Sequence, residues 1–314
     1  MRGPQHHPNV KAGNCSDPGA GITRLKKGPV NIPEVVAAGV NFTDTDFQAP
    51  DSLFLDGYES STVEADYDTK LANGQYTWVG WKDKLPNSPM FNAGTVSYTE
   101  PNQGGLGTCY HVSSLASAAE FPSLITDAFL TGTDDSPIGL YGLRFYIRGH
   151  PWVVTTDDKF IFTGNNLKYM NIADNGAMWA PMMEKVWGKI KGAYYQAAGG
   201  FVSNGLRSIT GAPTIRYGFG SSYTTSAANT HALLKAADAA GYPMGAGTGA
   251  GADTTTNDCG IAYGHAYSII TAFDMTAADG TVYNMVMLRN PWGVTYYTAG
   301  WNKDDSAWTS ALIA

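Results

Sequence analysis

Apolar residues recur at helical spacing in three parts of the chain. The first predicted helix starts at Cys109, with Thr108 as a candidate N-cap. Its apolar positions at i, i+3 and i+7 fall on one face: Val112, Leu115 and Ala119. Two further helices are predicted over residues 177–197 and 226–240. Each of these ends before a glycine, as helices commonly do.

Runs of β-branched and aromatic residues predict strands between and after these helices. The predicted strands cover residues 141–147, 152–156, 159–163, 266–274 and 282–289. A helix-containing front half is thus followed by a mainly β back half. Because the two kinds of element segregate and do not alternate, the pattern favours an α+β fold over a doubly wound parallel sheet.

Length and charge exclude several classes of protein. At roughly 150 residues per domain, 314 residues correspond to about two domains or one built from two lobes. The net charge is −7, and the basic residues are scattered. Since nucleic acids are bound through clustered Lys and Arg, we expect no nucleic-acid partner.

The chain also lacks the signals of export. No stretch approaches the roughly 18 apolar residues that a membrane span requires, and residues 1–21 contain no hydrophobic core of a signal peptide. The three cysteines, Cys15, Cys109 and Cys259, cannot form a disulfide framework. We therefore expect no membrane span and a cytoplasmic location. The pattern leaves the oligomeric state open.

The segment from Gln103 to Tyr110, QGGLGTCY, is a candidate for nucleophilic chemistry. A cysteine at a helix N-terminus lies near the partial positive charge of the first amides, which stabilises the reactive thiolate. Gln103, six residues upstream of Cys109, offers a side-chain NH2 to a developing oxyanion. The alternative is a buried structural cysteine, which is common for free Cys.

Two later motifs supply partners for a thiolate. His265 enters one predicted strand in GHAYSI, and Asn290 follows the next strand in LRNPWG. If the strands are neighbours, both side chains reach one end of the sheet, where the Asn oxygen accepts the imidazole N–H. Trp292 would cover this pair and exclude water. A lone His is more often a satisfied core residue, but the order Cys, His, Asn favours the catalytic interpretation.

These motifs resemble the active-site motifs of calpains, a papain-like family of cysteine proteases. The resemblance covers roughly residues 40–308 and includes TTDDKF, MWAPMMEKVWGKIKGAYYQAAGG and the Trp301–Trp308 stretch. It implies a papain-like two-lobed core, with a helical front lobe, a β-rich back lobe and the cleft between them.

The resemblance also implies roles for individual residues. Cys109 would be the nucleophile, His265 the general base and later acid, and Asn290 the group that orients the imidazole. Gln103 would help form the oxyanion hole. Substrate contacts are implied for three further residues: Gly200, Gly264 and Trp292.

Three regions follow from this comparison. Residues 1–39 are predicted to be a flexible N-terminal arm, and residues 40–213 the front lobe with the Cys. Residues 214–314 are predicted to be the back lobe with His and Asn, apparently truncated at its C-terminus.

Calcium is the cofactor that the resemblance raises, since each lobe of conventional calpains binds one ion. Calcium needs six to eight oxygen ligands, several of them carboxylates. Glu100 stands at one acidic ligand position, but Ala177, Val294 and Lys303 occupy positions where the family usually has a carboxylate. We therefore expect that no cofactor is required, with Glu100 as the remaining calcium candidate.

The sequence thus predicts a calpain-like cysteine endopeptidase acting on protein or peptide substrates through a thioester. The competing hypothesis is a catalytically inactive calpain-like module that binds peptides or partners. Acyl transfer to an amine would use the same residues, and only the products distinguish it from hydrolysis.

Overall fold

The computed structural model describes residues 29–49, 52–53, 67–218, 226–277 and 279–313. Its helices are α1 Ile32–Ala38, α2 Tyr67–Ala72, α3 Trp81–Lys84, α4 Cys109–Ala119, α5 Pro122–Thr126, α6 Trp179–Lys191, α7 Val202–Thr210, α8 Ala227–Ala239 and α9 Ser310–Ile313. Its strands are β1 Tyr76–Gly80, β2 Tyr141–Ile147, β3 His150–Thr156, β4 Lys159–Thr163, β5 Asn166–Leu167, β6 Met244–Gly247, β7 Ala266–Thr276 and β8 Val282–Arg289.

The strands of the described residues form three antiparallel sheets, ordered β1-β4-β5, β2-β3 and β6-β7-β8. The first two sheets come from residues 40–213 and the third from residues 214–314. Helices lie beside antiparallel sheets, so the predicted α+β class is confirmed. The two-lobed arrangement and the boundary near residue 213 stay predictions.

The second predicted helix is shorter than its apolar pattern suggested. It begins at Trp179 and ends at Lys191, because Gly192 takes a φ of 101° that breaks the helical path. A separate 3₁₀ turn, Tyr195–Ala197, follows it. The predicted range 177–197 therefore merged two elements. Helix α8 agrees with its prediction, and its Ser226 side chain accepts a hydrogen bond from the Asn229 amide at 3.2 Å.

Part of the predicted flexible arm is folded. Residues 32–38 form α1, and the amide of Val30 donates to Thr155 Oγ1 in β3 at 3.3 Å. Ile32 lies against Gly142 of β2, where a Cβ would be 2.4 Å from its Cδ1. This stretch thus forms a helix in contact with the β2–β3 sheet, the flexibility of the arm stays a prediction, and residues 1–28 lie outside the described part of the chain.

Helix α4 is the centre of the packing, and residues 110–119 of it are all buried. Its serines meet neighbouring backbone: Ser114 Oγ donates to Val202 O at 3.0 Å, and Ser117 Oγ donates to Met244 O at 2.5 Å. In return, Ser268 Oγ of β7 donates to Ser113 O at 2.9 Å. The helix that begins at Cys109 is thus joined to α7, β6 and β7, which fixes where its N-terminus lies.

Two buried ion pairs join α6 to the residues around it. Lys185 Nζ lies 2.6 Å from Asp157 Oδ1, with both side chains fully buried, and Lys189 Nζ lies 2.6 Å from Asp44 Oδ2. Such charges are tolerated in a core only when each is paired and hydrogen-bonded.

Within the described residues, no helix combines the length and apolar character that crossing a membrane requires.

Candidate active site

Cys109 is the first residue of α4, as predicted, and its thiol is half-buried. Burial raises the pKa of this thiol, against the lowering effect of hydrogen bonds from the backbone N–H groups of Ala266 and Tyr110. The expected stabilisation of the thiolate by the helix N-terminus is therefore outweighed. A raised pKa disfavours the thiolate, so a nearby base would promote ionisation of the thiol.

Thr108 occupies the N-cap position, but its side chain does not cap α4. Its hydroxyl instead donates to Glu184 Oε1 at 2.5 Å. The second oxygen of Glu184 accepts the Met170 amide at 2.8 Å, and burial raises the pKa of this carboxyl to about 7. Glu184 thus holds the residue before Cys109. Sequence reasoning missed it, although an acidic residue in the apolar pattern of residues 179–191 was a visible signal.

His265 and Asn290 meet at one end of the third sheet. Antiparallel pairing of Ser268 with Arg289 places the start of β7 beside the end of β8. The His265 Nε2 atom lies 2.9 Å from Asn290 Oδ1, and the same oxygen accepts the Trp292 amide at 3.1 Å. The backbone N–H identifies this amide atom as oxygen, so Nε2 must carry the proton. The lone pair of the neutral ring therefore lies on Nδ1.

The imidazole is buried and shielded. The Trp292 ring covers it with centroids 4.1 Å apart, and the Tyr267 ring lies edge-on at 5.0 Å. Burial lowers the pKa of His265, while the hydrogen bond to Asn290 acts in the opposite direction. Among the described residues Nδ1 has no hydrogen-bond partner. A neutral ring with a bare Nδ1 can accept a proton.

The sulfur and the imidazole are not hydrogen-bonded to each other. The thiol interacts with the amide of Ala266, the residue after His265, while Nδ1 stays without a partner in the described structure. The Asp253 carboxylate lies close enough to both groups for its charge to raise both pKa values, although burial is the larger influence on each. The sequence carried no signal for Asp253.

Gln103 lies beside this group with its side chain buried. Its Nε2 donates to Leu106 O at 2.8 Å, which uses one of the two amide hydrogens. Its backbone N–H donates to Pro291 O at 2.8 Å, directly after Asn290. Gln103 thus contacts the Asn290 motif through its backbone, and the bond to Leu106 O uses only one of its two side-chain amide hydrogens.

At two of the predicted substrate-contact positions, packing within the protein itself requires a glycine. A Cβ on Gly200 would lie 2.6 Å from the Tyr110 ring. Gly264 has a φ of +53°, and a Cβ there would lie 2.3 Å from Gly251 O. Both requirements hold without a substrate, so substrate contact at Gly200, Gly264 and Trp292 stays a prediction.

Glu100, the calcium candidate, is buried among hydrogen-bond donors. Its carboxylate accepts from the Ser97 amide at 2.9 Å, from Asn175 Nδ2 at 2.5 Å and from Trp179 Nε1 at 2.6 Å. In the part of the chain that the structure describes, no group of three His, Cys, Asp or Glu residues is arranged to hold a metal.

The packing of the loop before Cys109 predicts that alanine destabilises the protein at one of its glycines and not at another. A Cβ on Gly104 would lie 1.5 Å from Tyr169 O, whereas one on Gly107 meets only ordinary contacts, the nearest at 3.6 Å. We expect Gly104→Ala to lower the free energy of unfolding by about 1–3 kcal/mol, the cost typical of forced overpacking. Gly107→Ala should change it far less. Denaturant unfolding of both variants checks this, and equal losses would contradict the loop geometry.

Comparison with known proteins identifies the family of the chain. The family model described as calpain family cysteine protease matches residues 42–312. The chain belongs to the calpain family of cysteine proteases. It is 27% identical to human calpain-8 over 280 residues, covering 86% of this chain and 37% of that protein.

Other relatives show the same partial coverage. Mouse calpain-12 is 29% identical over 301 residues, covering 92% of this chain and 39% of the relative. A calpain-type cysteine protease of rice, Oryza sativa subsp. japonica, is 26% identical over 279 residues, covering 87% of this chain and 12% of the relative. The chain therefore spans well under half the length of these curated relatives.

Proposed function

We propose that this chain is a cysteine endopeptidase that hydrolyses peptide bonds of protein substrates through a thioester. Cys109 is the nucleophile, His265 the general base and acid, and Asn290 the group that orients His265. The arrangement that carries the proposal is the His265 ring, whose Nε2 is held by Asn290 while Nδ1 has no partner among the described residues, together with the contact of the Cys109 thiol with the amide of Ala266, directly after His265. An intracellular setting is part of the proposal, since Cys109 and Cys259 are both free thiols.

Acylation begins from neutral partners. Burial disfavours both the thiolate and the imidazolium, so the Cys109 proton moves to His265 Nδ1 as the sulfur attacks the substrate carbonyl. This requires a hydrogen bond between sulfur and Nδ1, and such bonds often tighten only when substrate binds. The carbonyl oxygen becomes an oxyanion, for which the Cys109 amide and the second amide hydrogen of Gln103 Nε2 are the candidate donors.

Collapse of the tetrahedral adduct breaks the C–N bond. His265 returns its proton to the leaving amine, and the acyl group stays on Cys109 as a thioester. His265 then takes a proton from water, which attacks the thioester, and the proton passes to the departing sulfur. Asn290 keeps Nε2–H bound throughout, so the ring presents Nδ1 in every step.

Two observations favour the inactive-module hypothesis. The sulfur and Nδ1 are not hydrogen-bonded, and the thiol has a raised pKa. A partner-binding domain would tolerate such a site. The two functions differ in whether Cys109 reacts.

A peptide-like irreversible thiol probe tests the proposal. We expect it to label Cys109 in preference to other thiols and to abolish cleavage of an unfolded protein such as casein. Cys109→Ala should lose both labelling and cleavage. Cys259→Ala is the matched control, since Cys259 is also half-buried and free, and it should keep both. Equal labelling of both thiols would favour the inactive module, and cleavage by Cys109→Ala would exclude Cys109 as the nucleophile.

A further inference from the structure

Residues 97–103, here named the clamp segment, lead into Gln103 and are held from two sides. The first side is the start of α6 and the segment that precedes it. Glu100 is only 4% exposed, and its carboxylate joins the segment to Asn175 and to the Trp179 indole. Asn171 adds two bonds, since its amide donates to Asn102 O at 2.8 Å and its side chain donates to Gln103 O at 3.0 Å.

The second side is the end of β8. Arg289 Nη2 donates to Thr99 O and to Asn102 Oδ1, both at 2.9 Å. Within the described ranges Arg289 has no carboxylate partner and its Nη1 has no acceptor, so these two oxygens are its anchors. Burial lowers the pKa of its guanidinium to about 10, which leaves it charged at neutral pH.

These contacts couple the two halves of the candidate active site. Arg289 directly precedes Asn290, and the Gln103 amide donates to Pro291 O directly after it. A shift of the clamp segment relative to β8 would therefore move Gln103 away from the imidazole and its Asn290 partner. Misplacement of this kind is costly, because reacting groups must be held within a fraction of an ångström.

A calcium ion does not fit this part of the structure. Both oxygens of Glu100 already accept hydrogen bonds from three N–H groups. At the same front-lobe site, the family resemblance implies a further carboxylate at position 177, which is Ala177 in this chain. Calcium needs several carboxylates among its ligands, so Glu100 alone does not provide a site.

We propose that Arg289 and Glu100 are positioning residues that hold the clamp segment and align the candidate active site without calcium. The kinetic part of this inference rests on the proposed peptidase function, whereas the structural part does not. The hydrogen bonds of the clamp segment hold the two halves of the candidate active site together, which is the role that a bound cation would otherwise have.

Arg289→Met tests the inference, because it keeps the chain length of the side chain and removes its donors. Arg207→Met is the matched control, since Arg207 donates to Thr214 Oγ1 at 2.9 Å on the exposed surface. We expect the Gln103 amide to exchange its hydrogen about tenfold faster or more in Arg289→Met and unchanged in Arg207→Met. In the unmodified chain, exchange should be the same in a chelator and in excess calcium.

Kinetics provide the second measurement. In Arg289→Met we expect kcat for peptide hydrolysis to fall about a hundredfold, with a much smaller change in KM, because alignment and not binding is lost. Arg289→Lys keeps the charge and the ability to donate hydrogen bonds but loses the planar geometry and reach of Nη2, so it should recover part of kcat and of the amide protection. This variant decides the question if Arg289→Met does not fold.

Three results would overturn the inference. The first is equal amide exchange in Arg289→Met and Arg207→Met. The second is slower Gln103 exchange in the unmodified chain when calcium is added. The third is a rate of hydrolysis that rises about tenfold with calcium, as expected if the ion assembles the site. If the unmodified chain neither hydrolyses peptides nor reacts at Cys109, the proposed function fails, while Gln103 exchange still decides on the clamp segment.

Discussion

Replacing His265 with alanine is expected to lower kcat for peptide hydrolysis on the order of a thousandfold or more, because members of a catalytic group act as a unit. Without the imidazole, no base accepts the proton of a thiol whose pKa is raised by burial. Nor does any acid protonate the leaving amine. Initial rates on a fluorogenic peptide, measured at saturating substrate, check this expectation.

The chain offers a matched control for that substitution. His231 is another buried histidine, and its Nε2 lies 3.2 Å from Phe273 O and 3.3 Å from Met285 O, in contact with carbonyls of β7 and β8. His231→Gln keeps a donor for these carbonyls and should leave kcat close to that of the unmodified chain. A His265→Ala variant that stays within about tenfold of the control would exclude His265 as the general base.

Removing Asp157 is expected to cost about 3–5 kcal/mol of the free energy of unfolding, since it leaves the Lys185 ammonium buried and uncompensated. The Asp157 carboxylate also accepts hydrogen bonds from the Asp44 amide and Gln48 Nε2. Although burial alone raises the pKa of Asp157, the Lys185 charge reverses this and holds the pKa below its usual value. Denaturant unfolding of Asp157→Ala measures the loss.

Two further variants test whether the loss of stability in Asp157→Ala comes from the unpaired Lys185 ammonium. Asp304→Ala breaks an exposed ion pair with Lys303, 2.6 Å long, and should leave stability unchanged. Adding Lys185→Met to Asp157→Ala removes the uncompensated ammonium and should recover part of the loss. If the double variant is no more stable than Asp157→Ala, the cost does not come from the orphaned charge.

The strands show what local sequence can determine. Strands β2, β4 and β8 have the predicted bounds, because β-branched and aromatic runs lie between strong turn residues. Helix α7 was not predicted, since Gly205 and β-branched residues weaken its intrinsic propensity. It forms where Gly205 lies against Ser114, a contact between residues 91 positions apart in the chain. Tertiary packing overrides propensity there.

The candidate site likewise has some features that the sequence predicts and others that depend on tertiary packing. That His265 and Asn290 come together follows from strand pairing, which the sequence pattern indicated. The raised pKa of Cys109 could not be predicted, because it depends on how deeply α4 is buried. The same holds for Gln103 Nε2, which is partly used by Leu106 O through a fold of the loop that no motif encodes.

The glycines that face α4 have a consequence for how this enzyme family diverges. A Cβ on Gly200 would overlap the Tyr110 ring, and one on Gly205 would lie 2.2 Å from Ser114 Oγ. The side chain at each of these helix positions therefore fills the space that a side chain at the opposing glycine would need. Among homologues, positions 110 and 200 should co-vary, as should 114 and 205, and mutational libraries should randomise each pair jointly.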